Sequence, residues 1–182
     1  MASEHLISAS KMLSRILRHR PDSVGVTLDK HGWCDVDDLL ARLAAKGTEI
    51  SREQLEAIVD TNDKSRFTFS PDHKRIRASQ GHSVTGVDLQ LREKVPPPVL
   101  YHGTIRKHMQ AIMKQGLLPM NRHHVHLSPD AATAAAVGGR RGPPVILVAD
   151  THRMHRDGHR FYISENNVWL TEHVPPKYLR AK

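Results

Sequence analysis

The chain has 182 residues, 38% of them hydrophobic and only 4% aromatic, which suits one domain or two small ones with an aliphatic core. No apolar run approaches the ~18 residues of a membrane span, and the first ten residues lack a secretion-signal pattern. The single cysteine, Cys34, excludes an intrachain disulfide. We therefore expect a cytoplasmic protein. The formal net charge of +8 predicts a polyanionic partner, above all nucleic acid, with a merely soluble basic protein as the alternative.

The first half of the chain is predicted to contain helices followed by a hairpin. Apolar spacing predicts a helix from Ser8 to His19 with Ser8 or Ser10 as its N-cap, and a second helix from Val36 to near Gly47. A third helix is predicted to begin after a capping residue, Ser51. The segment RFTFSPDHKRIRAS alternates around a Pro-Asp-His turn, which predicts a hairpin. Helices followed by a basic hairpin favour a winged-helix-like module, an architecture that commonly binds nucleic acid.

The second half of the chain alternates strands and helices. The prolines at 96–98 favour a stiff linker, so we place a domain boundary between residues 95 and 96. Beyond it, VLYHGT and HVHLS are predicted strands, and residues 105–115 a helix that ends at Gly116. Ser128 is predicted to cap an alanine-rich helix up to Val137. PVILVAD is predicted to be a fully buried strand, and RFYISENNVWLTEHV a pair of strands.

The segment LSRILRHRPD collects only cations at the end of the first predicted helix. Arg18 presents a planar fork of donors that fits phosphate oxygens, and the neighbouring His19 can donate to phosphate or move a proton. A favourable interaction of these cations with the helix dipole is the alternative. In NDKSRF, Lys64 and Arg66 fall on one side of a beginning strand, where they either bind phosphate or only add charge to the hairpin.

Histidines cluster in the segments YHGT and NRHHVHLS. His124 and His126 are two residues apart and share a strand face, so with His102 or His123 they would offer ligands for zinc. The segments HGT at 102–104 and HLS at 126–128 instead fit the His-x-Thr/Ser pattern of two-histidine phosphodiesterases, in which paired histidines act as acid and base. The GGRRG turn at 138–142 lacks the order and the lysine of a P-loop, and no GxGxxG is present, so no Rossmann dinucleotide site is predicted.

Taken in chain order, a series of motifs resembles one family, the NAD-dependent tRNA/RNA 2'-phosphotransferases, over nearly the whole chain. These motifs are LSRILRHRPD, GWCDVDDLL, NDKSRF, IRASQGHS, YHGT, GLLPMNRHHVHLS and FYISENNVWLTEHVPPKYL. The resemblance implies an α+β fold with a winged-helix-like RNA-binding lobe, residues 1–95, and an ADP-ribosyltransferase-like mixed β lobe that binds NAD, residues 96–182. It implies no metal, no membrane partner and no particular oligomeric state.

The resemblance also implies which residues form the site. The catalytic residues would be Arg18, His19, Arg66 and Arg122. The residues that hold the RNA phosphate would be Arg18, His19, Lys64 and Arg66. The residues that bind NAD would be His102, Gly103, Thr104, His126, Ser128 and Arg141, with Arg140 as an alternative to Arg141. Glu165 is the candidate for the glutamate with which many ADP-ribosyltransferases steady an oxocarbenium-like state.

The implied reaction removes an internal 2'-phosphate from a tRNA-like RNA and consumes NAD as a substrate. The 2'-phosphate displaces nicotinamide to give RNA-2'-phospho-ADP-ribose, and the 2''-hydroxyl then attacks the phosphate, releasing 2'-OH RNA and ADP-ribose 1'',2''-cyclic phosphate. His19 would either protonate the departing RNA oxygen or polarise the 2''-hydroxyl. The alternatives are an NAD-independent phosphodiesterase acting on cyclic phosphates, a non-catalytic winged-helix RNA binder, and transfer of ADP-ribose to 5'-phosphate ends of nucleic acids.

Overall fold

The computed structural model describes residues 4–62 and 65–182, and the chain divides between Gln90 and Leu91 into two compact units. Helices and small antiparallel sheets together make the chain an α+β protein, as predicted. Among the described residues, no helix is long and apolar enough to cross a membrane. Residues 92 and 93 form a strand that pairs with Tyr162–Ile163, so the chain just after the division already belongs to the second unit.

The helices of the first unit are α1 (Glu4–His19), α2 (Val36–Ala45) and α3 (Arg52–Asp60). Their apolar faces share one core, in which Leu13, Leu17 and Leu55 are completely buried. Burying a leucine side chain of this kind contributes about 2 kcal/mol to stability. Helix α3 begins with the predicted cap, since Ser51 and Gln54 form a reciprocal capping box.

Helix α1 begins earlier than the sequence predicted. It includes Glu4, so neither Ser8 nor Ser10 is an N-cap, and the prediction of a cap at these serines is wrong. Ser10 is instead buried inside the helix, where its hydroxyl accepts a hydrogen bond from the side-chain amide of Asn62 at 2.9 Å. A serine in mid-helix is tolerated here because its hydroxyl has this partner from outside the helix.

The sheet of the first unit contains β1 (Cys34–Asp35), β2 (Phe67–Phe69) and β3 (Arg75–Ala78), in the order β1–β3–β2 with antiparallel pairing. Strands β2 and β3 form the predicted hairpin, and Phe69 lies opposite Ile76. Phe67 and Ile76 are buried in the same core as the helices. The hairpin is therefore fixed to the helices by its apolar side chains.

The second unit contains two sheets and three further helices among its described residues. Its strands are β4 (Arg92–Glu93), β5 (Leu100–Ile105), β6 (Val125–Leu127), β7 (Pro144–Ala149), β8 (Tyr162–Ile163), β9 (Trp169–Thr171) and β10 (Leu179–Ala181). One sheet has the order β10–β7–β5 and the other the order β4–β8–β9–β6. The helices are α4 (Met109–Gln115), α5 (Ala131–Gly138) and α6 (Thr151–Arg156). Completely buried residues such as Leu147 and Phe161 belong to the core of this unit.

Three predicted features of the second unit are corrected by the structure. A 3-10 turn, Arg106–His108, precedes α4, although the helix ends at Gly116 as predicted. Asp130 caps α5, and Ser128 does not, because the backbone of Ser128 is still paired with Tyr101 through two N–H···O bonds of 2.8 Å. Strand β7 is buried only over its last three residues, so the prediction of a fully buried strand is wrong.

Candidate active site

The end of α1 is held by a residue far along the chain. The backbone N–H of Ser83 donates to the carbonyl of Arg18 at 2.9 Å, which satisfies one of the carbonyls that a helix end leaves without an intrahelical partner. The Ser83 hydroxyl lies 2.9 Å from Nδ1 of His19, within hydrogen-bond distance. Arg18 and His19, the two residues predicted from LSRILRHRPD, are thus fixed together by one serine.

The side chain of Arg18 is only 9% exposed. A guanidinium keeps its charge at any relevant pH, and charge interactions are stronger in a buried environment than in water. An anion that reaches this group is therefore attracted more strongly than it would be by an exposed arginine. A phosphate is such an anion, because its oxygens accept the hydrogen bonds that a guanidinium donates.

The segment that carries Ser83 is itself anchored by a buried histidine. His82 is 1% exposed and packs against the backbone at Gly32, where a Cβ atom would lie 3.1 Å from Nε2 of His82. The preceding residue, Gly81, has φ +83°, which side-chain-bearing residues rarely adopt. The glycines in the segments IRASQGHS and GWCDVDDLL therefore shape the turn that presents Ser83.

Arg66 lies immediately before the hairpin. Its guanidinium Nη1 donates to the side-chain oxygen of Asn62 at 3.4 Å, and the amide nitrogen of Asn62 donates to Ser10 on α1 at 2.9 Å. The hydrogen-bonded series from Arg66 to Ser10 joins the hairpin to the same helix that carries Arg18 in its last turn. Lys64, also predicted to bind phosphate, lies outside the described residues.

In the second unit, the structure brings together the two predicted histidine motifs. Backbone pairing of Tyr101 with Ser128 places β5 beside the end of β6, and Nδ1 of His102 lies 3.0 Å from the carbonyl oxygen of His126. Because a carbonyl only accepts, His102 donates from Nδ1 and its Nε2 carries the lone pair. His102 therefore presents an acceptor at its other nitrogen.

Arg122 contacts His126 at 2.9 Å, from Nη1 of the guanidinium to Nδ1 of the imidazole. Arginine has no acceptor, so Nδ1 of His126 accepts this bond and the proton of the neutral ring is on Nε2. The chain thus contains the series Arg122–His126–His102, in which the tautomer of each ring follows from its partner. Two residues predicted to bind NAD and one predicted to be catalytic are in contact.

Two pKa values in this group are lowered, and burial is the main cause of each. Burial lowers the pKa of His102, the hydrogen bond to the His126 carbonyl opposes this, and the charge of Arg122 lowers it further. Burial and the nearby cations Arg140 and Arg141 lower the pKa of Arg122. His102 is consequently held in its neutral form, and three guanidinium groups are crowded in one region.

Gly103 has a packing role that the sequence did not indicate. A Cβ atom at Gly103 would lie 1.7 Å from the carbonyl oxygen of Ala134, and one at Gly138 would lie 2.7 Å from the carbonyl carbon of Gly103. The backbones of β5 and α5 are therefore in direct contact, and Thr104 is buried beside them. Whether Gly103, Thr104 and Ser128 also touch NAD stays a prediction.

The zinc alternative does not fit the side chains. Over residues 4–62 and 65–182, no group of three or more His, Cys, Asp or Glu side chains lies together in a way that could hold a metal. His126 turns its Nδ1 to a cation, Arg122, and the ring of His124 packs against Tyr162 with centroids 5.6 Å apart. Glu165 is exposed in the turn between β8 and β9, and its role stays a prediction.

Comparison with known proteins identifies the family. Residues 4–173 match the family described as RNA 2'-phosphotransferase, Tpt1 / KptA family. The chain belongs to this family. A relative named "Probable RNA 2'-phosphotransferase" from Burkholderia pseudomallei is 57% identical over 182 aligned residues, which cover 99% of this chain and 98% of the relative. Relatives of the same name from Streptomyces coelicolor and Rhodopirellula baltica are 54% and 53% identical, and the alignments cover 99% and 98% of this chain and 97% of each relative.

For an RNA 2'-phosphotransferase, the structure adds residues that the sequence motifs did not single out. Ser83 and Asn62 contact the predicted site residues His19 and Arg66, and Gly138 makes room for Gly103. Ser83 belongs to the motif IRASQGHS, but nothing in that motif indicated its partner, because His19 is 64 residues away in the sequence. No local signal could have found this pairing.

Proposed function

We propose that this chain removes an internal 2'-phosphate from a tRNA-like RNA by transferring it to NAD, and that it does so in the cytoplasm. The products are 2'-OH RNA, nicotinamide and ADP-ribose 1'',2''-cyclic phosphate. The match to RNA 2'-phosphotransferases over residues 4–173 carries the proposal. We also propose that the first unit is winged-helix-like and binds RNA, and that the second is ADP-ribosyltransferase-like and binds NAD.

In this proposal, Arg18, His19 and Arg66 hold the RNA 2'-phosphate. The burial of Arg18 and the contact between Ser83 and His19 support this assignment. Because Ser83 engages Nδ1 of His19, Nε2 is the nitrogen that serves the substrate, whether it protonates the departing RNA oxygen or polarises the 2''-hydroxyl. Lys64 adds a further cation for the phosphate.

The second unit binds NAD in this proposal. The acceptor at Nε2 of His102 suits a ribose hydroxyl, and the guanidinium group of Arg141, with Arg140 as the alternative, suits a pyrophosphate. Neutral imidazole is the required form, and the burial that lowers the pKa of His102 maintains it. Gly103, Thr104, His126 and Ser128 complete the predicted NAD-binding set.

The first step needs no nucleophilic side chain. A phosphate monoester has a second pKa of about 6, so it is largely a dianion at neutral pH and can itself displace nicotinamide. Cleavage of the bond between the ribose and nicotinamide passes through an oxocarbenium-like state, which an adjacent anion stabilises. The chain's contribution is to bring two anionic substrates together, and fixed cations offset their repulsion.

The second step is a transfer at phosphorus. The 2''-hydroxyl attacks the phosphate, the bond to the RNA 2'-oxygen breaks, and that oxygen takes a proton. Guanidinium groups stabilise the charge that develops on the phosphate oxygens. We assign this task to Arg66 and Arg122. Replacing either residue is therefore expected to make the intermediate, RNA-2'-phospho-ADP-ribose, accumulate.

Incubation of the purified protein with a 2'-phosphorylated RNA, with and without NAD, tests the proposal. We expect loss of the 2'-phosphate only with NAD, and mass spectrometry should identify ADP-ribose 1'',2''-cyclic phosphate. The same RNA without a 2'-phosphate is the control, and it should release no nicotinamide. Removal of the phosphate without NAD would point to a phosphodiesterase, and RNA binding without any turnover would point to a non-catalytic binder.

A further inference from the structure

The net positive charge of the chain comes entirely from its second unit. Up to Gln90 the sequence has 13 Lys and Arg against 13 Asp and Glu, so the formal charge is zero. From Leu91 onward it has 14 against six, which accounts for the whole net charge of +8. Long-range attraction of a polyanion therefore originates in the unit to which NAD binding was assigned.

The carboxylates of the second unit are also unevenly placed. Between Glu93 and Asp150 the sequence holds a single carboxylate, Asp130, and seven Lys and Arg. Asp130 is engaged as the cap of α5, where it accepts from both the N–H and the hydroxyl of Thr133 at 2.7 and 2.8 Å. The cations along β5, α4, β6, α5 and β7 are therefore not balanced by nearby acids in sequence.

Five of these cations lie in one region, which we call the basic rim: Arg106, Lys107, Arg122, Arg140 and Arg141. All five keep solvent-exposed surface, although Arg122 is partly desolvated. Arg106 and Lys107 directly follow β5, whose last residue, Ile105, pairs with Pro144 at the start of β7. Arg140 and Arg141 lie just before Pro144, and a Cβ atom at Gly142 would be 3.7 Å from Ile105. The antiparallel register thus puts both pairs at the same end of the sheet.

Arg122 joins the basic rim from the side of β6. Arg140 and Arg141 are close enough to it to lower its pKa, so the rim continues from the Arg122–His126 contact to the end of β5. A dinucleotide pyrophosphate carries two charges and occupies two or three guanidinium groups. Five cations exceed what NAD alone requires, and a longer polyanion matches them better.

We propose that the basic rim is a docking surface for the phosphate backbone of the RNA substrate, and that Arg106 and Lys107 bind phosphates of nucleotides flanking the one that reacts. The inference rests on the proposed function for the identity of the RNA. It assigns to the second unit a share of RNA binding in addition to NAD binding. Flanking phosphates contribute affinity without sequence preference, so the surface should favour long RNA over short RNA.

The test compares the double variant Arg106→Gln/Lys107→Gln with a matched control, Arg156→Gln/Lys177→Gln. The control removes the same charge from exposed residues of the same unit, at helix α6 and the turn before β10, which lie beyond the opposite end of β7. Binding of a single-stranded RNA of about 20 nucleotides is measured by fluorescence anisotropy over a series of salt concentrations. Turnover is measured on the same RNA with a 2'-phosphate, and on a dinucleotide with the same 2'-phosphate.

We expect the rim variant to bind the long RNA about tenfold more weakly and to raise the KM for that RNA about tenfold. A plot of the logarithm of the association constant against the logarithm of the salt concentration should become less steep by about 1.4, because each of the two lost phosphate contacts contributes ~0.7. The KM for NAD, the kcat and turnover of the dinucleotide should change less than twofold. The control should behave like the wild type. Equal loss in both variants, or a raised KM for NAD with unchanged RNA binding, would overturn the inference. Anisotropy needs no turnover, so it tests the rim even if the proposed reaction fails.

Discussion

The hydroxyl of Ser83 lies 2.9 Å from Nδ1 of His19, while the backbone N–H of the same serine donates to the carbonyl of Arg18. One residue thus fixes both the end of the helix and the orientation of the imidazole. Since His19 is predicted to be catalytic, Ser83 acts as a positioning residue.

Replacing Ser83 with alanine is expected to lower kcat about tenfold, because one hydrogen bond of about 1.4 kcal/mol no longer orients His19. The KM for RNA should change less than twofold, since the backbone bond to Arg18 remains. Ser83→Thr keeps the hydroxyl and should restore most activity. Thr85→Ala, in the same segment, is the control. A wild-type kcat for Ser83→Ala would show that His19 needs no orientation by this residue.

A second prediction concerns His126 and Arg122. His126→Ala removes the acceptor of the 2.9 Å bond and should lower kcat about tenfold. His126→Asn places an oxygen near the position of Nδ1 and should retain most of the kcat. His124→Ala, two residues away, is the control.

The double variant with Arg122→Ala distinguishes a positioning role from direct contact with NAD. If His126 acts through Arg122, His126→Ala should add little to the loss caused by Arg122→Ala, and the KM for NAD should not change. Additive losses, or a raised KM for NAD, would instead assign His126 to the dinucleotide.

The contact between β5 and α5 predicts a large effect of one methyl group. Gly103→Ala puts a Cβ atom 1.7 Å from a backbone oxygen, so strand and helix must separate, and unfolding should require about 3 kcal/mol less free energy. Gly139→Ala is the matched control, because its Cβ atom would lie 3.8 Å from its nearest neighbour, Pro144, and its φ of −66° and ψ of −7° suit alanine. Thermal unfolding measures both. Equal stability of the two variants would contradict the packing role.

Burial, assisted by the charges of Asp35 and Asp38, raises the pKa of the Cys34 thiol to about 12. The native thiol should therefore resist alkylation at pH 8 and react only when the protein is unfolded, since the thiolate is the reactive form. The unfolded chain loses this proton near pH 9, so the free energy of unfolding should fall between pH 8 and 10. The expected loss is roughly 1–2 kcal/mol more than in Cys34→Ala. Identical pH dependence in denaturant titrations of the two proteins would contradict this.

Local sequence signals predicted most of the secondary structure, and their failures have physical explanations. The capping box at Ser51 and the helix end at Gly116 depend on neighbouring residues, so both were predictable. The caps at Ser10 and Ser128 were wrong because their surroundings come from elsewhere in the chain. Asn62 satisfies the hydroxyl of Ser10, and pairing with Tyr101 keeps Ser128 extended.

The site residues divide in the same way. Arg18 and His19 could be singled out because cations at a helix end are unusual and fit phosphate chemistry. The residues that orient them could not be found, since the contact between His19 and Ser83 spans 64 residues. Gly103 was attributed to NAD binding, and only the close approach of Ala134 showed why a side chain would not fit there.

The crowding of Arg122, Arg140 and Arg141 has a thermodynamic consequence. Like charges held close together oppose folding, so the protein without an anion at these residues is its less heat-resistant form. A bound dinucleotide neutralises this repulsion, so it stabilises the folded protein. Saturating NAD should therefore raise the melting temperature, and added salt should raise it in the same direction by a smaller amount.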